Sequence, residues 1–375
     1  MKFNIVCLLF ILSFIGGPAA AQLFDIPKLQ IQELRDEERY EEALKMVNEE
    51  IAKRPGDWEI LLLKAHILGD LDRHYEGVEI FDQYLAKNPD DAWILGFRGL
   101  YRGILGYQRK SYEDLDRSIQ LDPTNAPVYY FRANLKFQRD DVEGAKRDYH
   151  NAIRYDSVYS QPHFKLAQIY FGQRKYDSSA YHFDKDIEID PTHEKGLYER
   201  SYCRLFVKDY QGAFDDVRKL AAMGVEDAFL FWNGGVAAMN IKRFKEAEEY
   251  FTRLIEHDTA EIKYHLRRSI VRDSLGKYAE GIADISRCIA LNDRVADFYV
   301  NLANLKLRAK YPLEQVLDEY NKALTLKNGH GRAYYYRGLF YGQYLNNGEQ
   351  ACIDLRRARD SDYEVKEEEL GRYCK

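Results

Sequence analysis

The sequence has no block of basic residues, no low-complexity stretch, and only nine prolines and five cysteines in 375 residues. Each shortage excludes something. With 55 Lys and Arg against 61 Asp and Glu and a net charge of -6, there is no concentrated positive surface, so nucleic acid is not an expected partner. Few prolines beside thirty tyrosines point to an ordered, helical chain with aromatic packing rather than a disordered one. Catalytic signatures are also missing. There is no His-Glu-x-x-His, no Cys-x-x-Cys, no Gly-x-Ser-x-Gly and no phosphate loop, and Gly99, Gly103 and Gly106 lack phosphate-loop spacing. The nine histidines are scattered without ligand spacing, so no metal and no cofactor are expected.

The first 21 residues differ from the rest. Lys2 is their only charge, Ile5 to Ile15 is apolar, and Gly16-Gly17-Pro18 breaks the run before Ala19-Ala20-Ala21. That run falls well short of the roughly 20 apolar residues that span a bilayer. Small residues at 19 and 21 suit a signal peptidase, so residues 1–21 are expected to be an export signal cleaved before Gln22. A lipoprotein would carry cysteine at the cleavage point, but Cys7 lies inside the apolar run. A periplasmic or secreted location, possible attachment to the cell envelope included, and no membrane span follow as expectations.

What is present is a period. Pro55, Pro89, Pro123, Ser157 and Pro191 recur every 34 residues, and the register defines ten repeats starting at 24, 58, 92, 126, 160, 194, 228, 262, 296 and 331. Position 8 of the repeat is small in nine: Ala65, Gly99, Ala133, Ala167, Ser201, Gly235, Ser269, Ala303 and Gly338. Position 20 is small in the same way, from Ala43, Gly77 and Ser111 to Gly281 and Ala351. These two positions are expected to face each other across a close helix crossing. Position 24 is always apolar: Val47, Phe81, Leu115, Tyr149, Phe183, Val217, Phe251, Ile285, Tyr320 and Leu355. Such a residue is a knob filling the space beside the crossing. Each repeat thus reads as two amphipathic helices and a turn.

Small residues at 8 and 20, apolar or aromatic ones at 4, 11 and 24, and proline at 32 resemble the tetratricopeptide repeat, over residues 24 to 363. Departures are Ile31 at position 8 of repeat 1, Pro312 with an extra residue in repeat 9, and Asn346-Asn347-Gly348 in repeat 10. The resemblance implies an all-α fold, a right-handed α-α superhelix of about ten helix-turn-helix repeats over residues 22–363, with a capping helix at 364–375. One such repeat cannot bury its own apolar face, so the repeats must stack.

Comparing the repeats with one another reveals a charge pairing. Arg stands at position 7 in repeats 3, 4, 6, 8 and 10 (Arg98, Arg132, Arg200, Arg268, Arg337), and in those five position 23 is Asp114, Asp148, Asp216, Asp284 and Asp354. The other repeats never have Asp there. Partly buried Arg–Asp bridges between the two helices of a repeat are expected, rather than pairing between neighbours.

Of the cysteines beyond the leader, Cys352 and Cys374 are expected to form a disulfide, because a helix from Glu364 to Tyr373 returning antiparallel along the last repeat brings them together. The ending is similar to that of many exported bacterial repeat proteins. Cys203 and Cys288 are expected to be buried small hydrophobes, and His163 and His265, at position 4, packing residues.

The resemblance also implies an inner surface lined by positions 2, 5, 9 and 12 of the first helices. In the middle repeats these supply Tyr130, Asn134 and Phe137; Phe164, Gln168 and Phe171; Tyr198, Tyr202 and Leu205; and Trp232, Val236 and Met239. Aromatic ledges interleaved with amides suit an extended peptide. The expected function is a non-enzymatic scaffold for a protein or peptide partner. Alternatives are an assembly subunit of a cell-envelope complex docking through its ends, or a carbohydrate-binding or hydrolytic role.

Overall fold

A computed structural model describes residues 26–374, and the expected leader lies outside the described residues. Among the described residues there are 21 α-helices and no strand. Repeats 1 to 5 are built from α1 Ile26–Asp36 and α2 Tyr40–Lys53, α3 Trp58–Asp70 and α4 His74–Leu85, α5 Ala92–Ile104 and α6 Gln108–Leu121, α7 Ala126–Gln138 and α8 Val142–Tyr155, and α9 Ser160–Gly172 and α10 Tyr176–Ile189. Repeats 6 to 10 are α11 Glu194–Phe206 and α12 Tyr210–Ala222, α13 Ala228–Asn240 and α14 Phe244–His257, α15 Ile262–Ser274 and α16 Tyr278–Leu291, α17 Ala296–Arg308 and α18 Leu313–Leu326, and α19 Gly331–Tyr344 and α20 Gly348–Asp360. A short α21, Glu367–Tyr373, follows. Two compact bodies result, an N-terminal one ending at Ile169 and a C-terminal one beginning at Tyr170, inside α9. Within each body the helix-turn-helix repeats stack as a solenoid: α4 packs on α3 and α5, α12 on α11 and α13, and α14 on α13 and α15.

The turn between the helices of a repeat is made the same way each time. One residue takes a left-handed conformation: Glu38, Asp72, Gly106, Asp140, Arg174, Lys208, Lys242, Gly276, Lys310 and Asn346. Only two are glycine, so elsewhere a side chain is held where L-residues are disfavoured. The first helices often start on a carboxylate: Asp57, Asp91 and Asp227 accept hydrogen bonds from backbone amides of the first turn.

The small and large positions of the repeat meet. A Cβ placed on Gly99 would lie 2.8 Å from Leu115 Cγ, and one on Gly235 would lie 2.8 Å from Phe251 Cε1. Ser111 Oγ at position 20 donates to Gly99 O at position 8, at 2.5 Å. All ten knobs are buried to 1% exposure or less, each contributing roughly 2 kcal/mol of transfer free energy. Ile31 breaks the small-residue rule without penalty. It is fully buried in an apolar cluster with Ala43, Leu44 and Val47 at the first helix pair.

At the C-terminal end, the helix expected from Glu364 is shorter and begins at Glu367. Asp362 is left-handed and Lys366 extended, so residues 361–366 turn the chain instead. Glu369 ties α21 to α19, since Tyr335 Oη donates to it at 3.0 Å. Cys352 and Cys374 are joined by a disulfide with their Cα atoms 4.9 Å apart. Cys203 and Cys288 are buried free thiols. Burial pushes the Cys288 thiol up to about 12, which keeps it protonated and unreactive.

Candidate functional site: aromatic faces of the first helices

The first helices carry the candidate site, and charge fixes them in place. Arg98 grips Asp114 with two parallel hydrogen bonds, Nε to Oδ2 at 2.9 Å and Nη2 to Oδ1 at 2.6 Å. The same fork joins Arg132 to Asp148, Arg200 to Asp216, Arg268 to Asp284 and Arg337 to Asp354. One turn along, Arg102, Lys136, Arg204 or Arg272 donates to the same buried carboxylate in four of the five repeats. Burial works against the charges, yet the carboxylates hold the Arg98, Arg132 and Arg337 guanidinium groups above their ordinary value.

The expectation of pairing within a repeat alone is corrected here. Each Arg also donates through Nη1 to the second helix of the preceding repeat, at Asp82, Asp116, Asp184, Thr252 or Asn321. Guanidinium has donors to spare after a fork is made. Part of the signal was in the sequence: position 25 is Asp82, Asp116 or Asp184 in three of the five repeats that precede such an Arg. Where no such Arg follows, it is Asn48, His150, Arg218 or Ser286, never an acid.

In the N-terminal body the expected groove residues are partly committed to the fold. Tyr149 Oη donates to Asn134 Oδ1 at 2.6 Å, so this amide supports the knob instead of offering its oxygen to a ligand. Tyr130 is half-buried, 5.4 Å from Tyr159 and 5.9 Å from Tyr149 between ring centroids. Gln168 is half-buried, and Phe164 is buried at 6% exposure, which removes it from any surface. Phe137 is exposed. Trp93, which sequence reasoning passed over, is half exposed at position 2 and packs edge-on to Phe97 at 5.3 Å.

Beside it, His66 meets Phe97 at 4.4 Å and Phe81 at 5.8 Å. Burial, with a smaller contribution from Arg35, pushes its pKa down to about 4. A depressed imidazole gives stability that is complete above the unfolded value of about 6.5 and is lost as pH falls toward 4. Urea denaturation of the N-terminal body should therefore show a loss of roughly 2 kcal/mol between those limits. His66→Phe should flatten that dependence, and an unchanged slope would rule the imidazole out.

The C-terminal body holds a continuous aromatic ladder. Tyr176 stacks on Phe206 at 4.8 Å, and Phe171 meets both at 5.4 Å. Tyr202 lies 5.6 Å from Phe171, 5.0 Å from Phe206 and 5.1 Å from Phe229, which stacks on Tyr198 at 4.4 Å. Tyr198 Oη donates to Asp227 at 3.0 Å, and burial with that carboxylate pushes its phenol up. Phe206 is exposed, and the other five rings are half-buried. Beyond them, Trp232 meets Phe251 at 6.1 Å and Tyr264 at 5.9 Å, with Lys263 Nζ 5.5 Å over its ring. Leu205, Val236 and Met239 are half-buried against the core cluster around Phe251. The structure thus joins Phe171, Tyr198 and Tyr202, and adds Tyr176, Phe206 and Phe229. Phe229 was legible as a position 2 aromatic, whereas Phe206 sits one residue past the expected stripe.

A family model described as tetratricopeptide repeat matches residues 29–92 and 131–194. Those two stretches of the chain are tetratricopeptide repeats. Similar solved structures include YrrB, described as a TPR protein with an unusual peptide-binding site, at 18% identity and TM-score 0.45, covering 50% of this chain and 97% of that one. MamA is similar at 15% identity and TM-score 0.42, covering 45% and 91%. MamA of Desulfovibrio magneticus RS-1 is similar at 19% and 0.39, covering 45% and 95%. The tetratricopeptide fold is a scaffold for protein–protein interaction. Its position 4 explains two histidines: Tyr129 and Tyr299 donate to the carbonyl six residues earlier, and His265 Nε2 lies 3.1 Å from Thr259 O in the same way. His163, at that position in repeat 5, is buried. Among the described residues, no group of three His, Cys, Asp or Glu is placed to hold a metal, and no helix is long and apolar enough to cross a membrane.

Proposed function

We propose that this protein is a non-enzymatic scaffold that holds a polypeptide partner along the aromatic ladder of its C-terminal body. The observation that carries the reading is the ladder itself: six rings in unbroken contact from Tyr176 to Tyr198, with α11, which carries Tyr198, Tyr202 and Phe206, clamped by Arg200 to Asp216. Rings already packed against one another lose little freedom when a ligand lands on them, so contact area converts efficiently to affinity. Extended peptides suit such a face because apolar side chains can seat between rings while the backbone finds polar partners at the rim.

Cross-linking and mass spectrometry in the native envelope would identify the partner. Tyr202→Ala and Trp232→Ala should then each weaken its capture at least tenfold while helicity is kept, about 1.4 kcal/mol or more apiece. Unchanged capture would shift the reading to docking through the ends, and capture of glycan instead of protein would replace it with carbohydrate binding. The leader supports an exported location, periplasmic or secreted. Terminal sequencing of the mature protein should start at Gln22, and retention of Met1 would exclude export by this route.

A further inference from the structure

We propose that the end of the ladder near Tyr176 selects an acidic segment of the polypeptide partner, one in which an aromatic side chain is flanked by Asp or Glu. The proposal rests on the ladder being the partner surface. A cleft of about 390 Å³ opens there, with Tyr176 and Phe206 among its lining residues and Arg174 and Lys175 beside them. Phe206 is 43% exposed and its ring stacks on Tyr176, so an incoming aromatic ring finds a flat apolar surface already assembled.

The charge around this surface is uncommitted. Arg200 and Arg204 in the same body are spent on Asp184 and Asp216. Arg174 and Lys175, both exposed, enter no ion pair among the described residues. Asp177 is the one carboxylate in the lining.

A second observation extends the cationic surface beyond the cleft. Arg174 occupies the left-handed turn position of repeat 5, and the same position holds Lys208, Lys242 and Lys310 in repeats 6, 7 and 9. In the N-terminal body it holds Glu38, Asp72, Asp140 and one glycine. The backbone asks only for a left-handed residue there and does not dictate its sign. The turns of stacked repeats follow one another along one edge, so the C-terminal body presents Arg174, Lys208 and Lys242 at three successive turns beside its aromatic rings, with Gly276, Lys310 and Asn346 at the next three, in a chain whose net charge is -6. A basic or neutral peptide gains nothing from this row. An acidic one gains both affinity and a faster approach.

The test uses the mature chain and a fluorescein-labelled peptide, Gly-Ser-Asp-Glu-Phe-Asp-Glu-Ser-Gly, read by fluorescence anisotropy. Binding is expected, weakening at least tenfold when the four acids of the peptide become lysine and again when its Phe becomes Ala. The double reversal Arg174→Glu/Lys175→Glu should cost at least tenfold with an unchanged thermal melt, and affinity should fall as salt rises from about 50 to about 300 mM. No binding of the acidic peptide, equal binding of its lysine version, or indifference to the double reversal would overturn the proposal. The natural partner separates the two readings. If its capture is lost in Tyr202→Ala but kept in the double reversal, the acidic selectivity fails while the scaffold stands. If both variants capture it normally, the ladder is not the partner surface and both fail.

Discussion

Asp148→Ala is expected to destabilise the N-terminal body by about 3–5 kcal/mol, because it leaves two cations without their shared partner. The Asp148 side chain is 3% exposed and accepts from Arg132 Nε and Nη2, both at 2.8 Å, and from Lys136 Nζ at 2.7 Å. The contrast lies next door. Asp116, 52% exposed, meets the outer nitrogen of the same Arg132, and its loss should cost only about 0.5 kcal/mol since solvent screens it. Hydrogen exchange resolves the effect repeat by repeat, which matters in a solenoid whose units can open separately. Combining Asp148→Ala with Arg132→Met should restore part of the loss. Strict additivity in that cycle would mean the fork contributes no coupling, and the clamp would have to be abandoned as a stabilising device.

Reduction of the disulfide, or Cys374→Ser, is expected to release α21 while the repeats before it stay folded. The bonded cysteines are 22 residues apart, and closing a loop of that size contributes about 3 kcal/mol in the chain-entropy account. A helix of seven residues has little stability of its own. Without the bond it keeps the buried Leu370, the Tyr335 to Glu369 hydrogen bond and the close packing of Tyr373 over Gly342. Amides of residues 367–374 should exchange at least a hundredfold faster after reduction, with repeats 6 to 8 unaffected. Protection that survives reduction would show that these contacts alone hold the cap.

The Arg–Asp fork was legible because both partners belong to one repeat, sixteen or seventeen residues apart, so ten repeats gave ten trials of the same geometry. Its third partner lies in the preceding repeat at position 25, where Asp, Thr and Asn all serve, and a mixed residue class hides a shared role. A similar pairing went unread in Asn134 with Tyr149 and Asn304 with Tyr320. Asn at position 9 and Tyr at position 24 occur in repeats 4 and 9 and in no other, because the phenol of a Tyr knob needs a buried acceptor that Phe, Leu or Val does not.

The sequence by itself determined the helix pairs, their 34-residue spacing, the facing of small residue against knob and the fork between helices. All of these are contacts inside one repeat, where chain connectivity leaves few arrangements. Only the tertiary structure decided which aromatic rings remain at the surface. Phe164 stood on the expected stripe and is buried, while Phe206 stood just off it and is exposed. A ring's exposure is set by the side chains that the adjacent repeat happens to bring against it, and those vary from repeat to repeat even where the backbone does not.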